Sequence, residues 1–150
     1  MARPFPLQTL LDLAQANSDA AAAQLCAING QDREMEQRLQ LLLEYRSEYT
    51  AHLAQEAKTG MNSVDWCNFH HFIDKIDTAI VQQRDAVAQS KLRVKAGQQH
   101  WHVQQRQLKS FDTLFQRHLT VEVKREAKQE QKEQDEFALR GFLSQRLSAG

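Results

Sequence analysis

KTGMNS, Lys58 to Ser63, is the stretch on which the reading of the fold depends. Gly60 suits a left-handed C-terminal helix cap, a backbone conformation that glycine adopts without the clash a Cβ would cause. Asn62 or Ser63 can cap a following helix, and Asp65 in that helix's first turn complements its dipole. One helix therefore ends and another begins within a few residues. A connection this short makes the two helices antiparallel neighbours.

Working backward from the turn, positions taken in alternating steps of four and three from Leu7 to Glu56 form a heptad seam. Eleven of its fifteen members are apolar or Tyr, the exceptions being Ser18, Asp32, Arg46 and Glu56. Pro4 and Pro6 stand just before it, where a helix can start. Working forward, a second seam runs from Trp66 to His118, with Gln83, Ser90, Gly97, Gln104 and His118 as its non-apolar members. The expected fold is all-α: a long antiparallel two-stranded coiled-coil hairpin over residues 1–118, with helix 1 at about 7–57, a turn at about 58–63 and helix 2 from about 64. At 1.5 Å per residue each paired arm would be about 75 Å long. Folding about the turn sets residue 42 against 79, 45 against 76 and 49 against 72, and brings Trp101 opposite the small residues of Asp19–Ala23. A large ring against small side chains is what close helix packing requires. The rival arrangement pairs each seam with its counterpart in a second molecule.

Composition agrees with helices. The chain has 150 residues, two prolines and five glycines, and no alternating β-branched run reads as a strand. Net charge is zero, so no general attraction to nucleic acid or anionic lipid is expected. Basic and acidic residues are interleaved, without a positive stripe for nucleic acid. Nothing approaches a transmembrane span or a secretory signal, and two cysteines are too few for a disulfide framework. These features suggest a cytoplasmic protein.

Residues 119–150 extend helix 2 past the start of helix 1, as a solvated helix or a disordered segment. Val123–Glu136 is almost wholly polar. Beyond it Leu139, Phe142, Leu143 and Leu147 form a short apolar stripe. It is either a frayed end or a segment that binds inside a partner.

The stretch DWCNFHHFIDKI, Asp65 to Ile76, poses a second question. Cys67 and His71 are an i, i+4 pair of the kind that can hold zinc, with His70 and Asp74 nearby on the same face. A structural site needs four ligands. His52 is the nearest further candidate across the turn, and no CxxC or HExxH motif is present, so no metal and no cofactor are expected. The opposite face is wider than a two-stranded seam needs. Phe72 and Ala79 overflow the seam on helix 2, while Leu42, Tyr45 and Tyr49 overflow it on helix 1. In the register above the two overflows merge into one apolar, tyrosine-rich strip. Such a strip either thickens the coil or marks an interaction site. A two-helix hairpin offers no enclosed pocket, and no phosphate loop or nucleophile motif occurs, so no catalytic residues and no enzyme activity are expected.

The stretches LLEYRSEYTAHL (Leu42–Leu53) and DWCNFHHFIDKIDTAIVQQR (Asp65–Arg84), on either side of the glycine-containing turn, resemble the FliJ family of flagellar export proteins. LQTLLDLAQ (Leu7–Gln15) and DEFALR (Asp135–Arg140) fall at matching positions. The resemblance implies a coiled coil of the flagellar type III export apparatus, similar to the stalk of rotary ATPases. It would act between the export ATPase ring and the cytoplasmic region of the membrane export gate and escort export chaperones. Its place would be the cytoplasm, held at the inner face of the cell membrane through its partners. The family's gate-contact strip would fall on Arg38, Leu42, Tyr45, Tyr49, Phe72, Ile76, Ala79 and Gln83. Arg38 and Gln83 depart from the family's residues at those positions. The ring-directed part would include Leu139, Phe142, Leu143 and Leu147. The alternative is a general coiled-coil chaperone or adaptor unrelated to flagella.

Overall fold

A computed structural model describes residues 3–149. It contains two α-helices, α1 (Gln8–Thr59) and α2 (Ser63–Ser148), and no strand among the described residues. Of the two candidate caps, Asn62 is the one used: its side-chain oxygen accepts from the Asp65 amide at 2.8 Å. Gly60 has φ 93°, the left-handed conformation expected for it. At the other end of α1 the Gln8 amide donates to the Phe5 carbonyl, starting the helix just after Pro6.

The chain groups into two units, Asp19–Val103, and the described residues of Met1–Ser18 with those of Gln104–Gly150. In Asp19–Val103 the helices run antiparallel on either side of the turn. The order of cross-helix contacts demonstrates it. His52 meets Phe69, Tyr49 meets Phe72, Arg46 meets Asp77, Met35 meets Gln83 and Asp32 meets Lys91. Each step down α1 is a step up α2, in the register read from the sequence. In the second unit the sense is the same, with Phe5 against Phe115 and Arg3 against His118 and Glu122.

The seams are where the heptads put them. Every position of the first, Leu7 to Glu56, is buried or half-buried, and in the second only Trp66 is exposed. The apolar core is thin, since two helices cannot surround a side chain. Among the described residues Ala14, Ala21, Leu53, Ile73, Ile76 and Ile80 are its buried members, and no large side chain is fully enclosed. Burying each of the isoleucines is worth roughly 1.5–3 kcal/mol. Ala21 is 3% exposed, and Trp101, at the opposing register position, is half-buried.

Several polar interruptions of the seams form cross-helix pairs. Asp32, a seam residue, takes the Lys91 ammonium at 2.6 Å, and Glu36 holds the same lysine. Arg46 grips Asp77 with two guanidinium nitrogens. Gln83 donates its amide to the Met35 carbonyl at 2.9 Å. Gly97 provides close approach instead. A Cβ there would lie 3.2 Å from the end of Ile28 and 3.3 Å from the end of Leu25.

Pairing runs one turn beyond residue 118. Glu122 is buried and accepts from the Arg3 backbone amide at 3.1 Å and from Arg125 at 2.8 Å. From residue 126 to 149 every residue is exposed, although α2 continues to Ser148.

Candidate functional site

Tyr45, Tyr49 and His52 follow one another at i, i+4 and i+7 on α1, so all three emerge on one flank of the helix. Phe69 and Phe72, at i and i+3 on α2, come up beside them. Tyr49 is the centre of the cluster. Its ring centroid lies 4.5 Å from Phe72, 5.3 Å from Phe69 and 6.1 Å from Tyr45. Tyr45 also reaches Phe72 edge-on at 6.2 Å, and His52 reaches Phe69 at 5.9 Å. Tyr49, Phe69 and Phe72 are half-buried, whereas Tyr45 is 48% exposed. Each ring is thus held by its neighbours while keeping part of its face in water. A surface of this kind has lost most of its rotamer freedom before any partner arrives.

The eight residues of the strip do not lie at one depth. Ile76 is 5% exposed and belongs to the core. Leu42, Ala79 and Gln83 are half-buried, and Arg38 is exposed. Arg38, Leu42, Tyr45 and Gln83 join Leu41 in lining a shallow hollow of about 540 Å³, so the strip continues past the rings into a depression.

Three participants are not assigned to the strip by the heptad pattern. Leu41, 64% exposed, walls the hollow. Its signal in the sequence is the run Leu41-Leu42-Leu43, three consecutive leucines where a heptad seam needs one. Spacing alone assigns Phe69 wholly to the seam and leaves His52 as a distant candidate for a metal, yet both join the ring cluster.

The other flank of this unit carries a cross-helix ion pair. Leu43, Arg46, Asp77, Ile80, Val81 and Arg84 line a smaller hollow of about 350 Å³ crossed by the Arg46–Asp77 pair. The hydrogen bond from Arg46 holds the Asp77 carboxyl below its usual range, and Asp77 in turn raises Arg46. Asp32 is likewise held low, first by its hydrogen bond from Lys91 and then by Ser90, against the opposing effect of burial. Lys91 is raised by Asp32 and Glu36.

Around the candidate zinc pair, Cys67 and His71 are exposed, and His70 packs its ring on Trp66 at 4.3 Å. Among the described residues no three His, Cys, Asp or Glu side chains converge on one point. At the C-terminal end, Leu139, Phe142, Leu143 and Leu147 are all exposed, as is Phe137. No helix is long and apolar enough to cross a membrane among the described residues.

The model of the flagellar FliJ protein family matches residues 3–147, which takes in both helices, the turn and the C-terminal stripe. This chain belongs to the flagellar FliJ family. The FliJ proteins of Escherichia coli strain K12 and of Salmonella typhi are each 31% identical to it over 143 residues, covering 95% of this chain and 97% of theirs. As a FliJ family member the chain is a component of flagellar export. The ring cluster, the hollow and the C-terminal stripe each leave apolar surface exposed.

Proposed function

We propose that this FliJ protein is a stalk-like element between the export ATPase ring and the membrane export gate, and that it escorts export chaperones. It works in the cytoplasm and is held at the inner face of the cell membrane through these partners. The strip of Leu42, Tyr45, Tyr49, Phe72 and Ala79, flanked by Arg38 and Gln83, takes the cytoplasmic region of the gate, with Ile76 as its buried member. Leu139, Phe142, Leu143 and Leu147 enter the ATPase ring. The observation that carries the reading is the ring cluster. Tyr45, Tyr49 and Phe72 are packed against one another on one flank, Tyr45 exposed and the other two no more than half-buried. A coil that only needed thickening would bury them. Aromatic side chains fixed in this way form the anchors of protein interfaces.

The role is that of a binding element. The hollows are shallow and open along the helices, and no set of nucleophile, base and orienting group gathers in them. The test is a binding assay between the purified protein and the cytoplasmic region of the cognate gate, run beside one with the export ATPase. Tyr45→Asp should abolish the first and spare the second, and loss of Leu139–Leu147 should do the reverse. Gate binding unaffected by Tyr45→Asp in a folded protein would reject the assignment of the strip.

A further inference from the structure

We propose that the hollow beside the ring cluster recognises a large apolar side chain carried next to a carboxylate, with Arg38 reading the charge. The inference rests on the gate-binding reading of the strip and adds the chemistry that the partner presents there.

Three observations converge on it. The walls of the hollow are Leu41, Leu42 and Tyr45, and Leu41 and Tyr45 are largely wet in the free protein. Covering them with an apolar side chain removes that surface from water. Arg38 is the one charged residue in the lining, and no carboxylate lies within ion-pair distance of it among the described residues. On the opposite flank Arg46 is matched by Asp77 and Lys91 by Asp32 and Glu36, while Arg84 shares a hollow with an ion pair already in place. Finally, the Gln83 side chain spends its amide hydrogens inward, on the Met35 carbonyl at 2.9 Å and near the Met35 sulfur at 3.6 Å. Its carbonyl oxygen is the group left for a partner.

The hollow therefore combines the apolar side chains of Leu41, Leu42 and Tyr45 with the donor fork of Arg38 and the side chain of Gln83, whose oxygen can accept. A carboxylate matches the guanidinium with two parallel hydrogen bonds, and a backbone N–H matches the Gln83 oxygen. A basic segment would instead meet an uncompensated positive charge. The occupant that fits is a peptide segment of the gate in which an acidic residue neighbours a leucine- or phenylalanine-sized side chain.

The experiment measures affinity for the cytoplasmic region of the cognate gate by calorimetric titration at low and high salt. The proteins are the parent, Arg38→Ala, Arg38→Glu, Arg38→Lys and Leu42→Asp, each checked by its melting curve. Because Arg38 is exposed, its variants should melt like the parent. Arg38→Ala should weaken binding about five- to tenfold and Arg38→Glu more, with Arg38→Lys in between because it keeps the charge without the fork. Salt should weaken the parent more steeply than Arg38→Ala. If the Arg38 variants bind like the parent while Leu42→Asp does not, the strip is the gate site and the acidic partner is refuted. If Leu42→Asp also binds like the parent, the strip assignment falls and this inference with it. Tighter binding by Arg38→Glu would show a basic partner. Altered self-association without altered gate binding would show that a second copy fills the hollow, and either result overturns the proposal.

Discussion

The ring of Phe72 on α2 lies 4.5 Å, centroid to centroid, from that of Tyr49 on α1. One contact thus ties the register of the hairpin to the shape of its exposed strip. Phe72→Asp combined with Ala79→Asp removes the apolar surface from the α2 side. The double variant should keep most of its helical circular dichroism and lose gate binding and swimming motility. The broken ring pair should cost about 0.5–1.5 kcal/mol, visible as a lower melting midpoint. Collapse of the helix signal would place these residues in the core instead.

Two glycines inside helices should respond in opposite directions. Nothing lies within 4 Å of a Cβ built on Gly30, so Gly30→Ala should stabilise the protein by about 0.5–1 kcal/mol through helix propensity alone. Gly97 faces Leu25 and Ile28, and Gly97→Leu should destabilise by about 1–3 kcal/mol through overpacking. Chemical denaturation of the two variants checks both signs.

Acid should weaken the pairing of the helices. Asp32, Asp77 and Glu122 are all held below their ordinary values of 3.8, 3.8 and 4.5, by Lys91, by Arg46, and by the Arg3 amide with Arg125. A carboxylate with a depressed folded-state pKa binds fewer protons in the folded than in the unfolded chain. Its contribution is present above the unfolded value and lost as pH falls through the folded one. The melting midpoint should therefore hold above pH 4.5 and fall increasingly below pH 3.8. Asp32→Asn should lower the midpoint at neutral pH and flatten this acid limb.

Arg46 and Asp77 should tolerate exchange. Arg46→Asp or Asp77→Arg alone sets like charges against each other and should lower the melting midpoint. The double exchange restores an ion pair and should recover most of the loss, because both side chains are about equally exposed. Failure of the double variant to recover anything would mean that the pair contributes through more than its charges.

Removal of residues 126–150 should leave the melting midpoint unchanged, because every described residue of that segment is exposed. Association with the export ATPase should be lost. Differential scanning calorimetry and co-sedimentation with the ATPase read the two effects separately.

Residues of one helix are related by a rigid period, so a seam repeating every 3.5 residues by itself marks the stripe that meets the partner helix. That is why the buried isoleucines at 73, 76 and 80, the turn at Gly60 and the pairing of Tyr49 with Phe72 are legible in the sequence. The flanks obey a different rule. Whether a residue beside the seam lies under a neighbour, lines a hollow or faces water depends on how each helix is rotated and staggered against the other. That arrangement reflects all the packing contacts together. Tertiary structure alone therefore decided that Leu41 walls the hollow and that Phe69 and His52 complete the cluster. It also decided that Asp32 and Arg46, polar breaks in the first seam, pair with Lys91 and Asp77. These partners lie across the turn, where the period of a single helix carries no information about them.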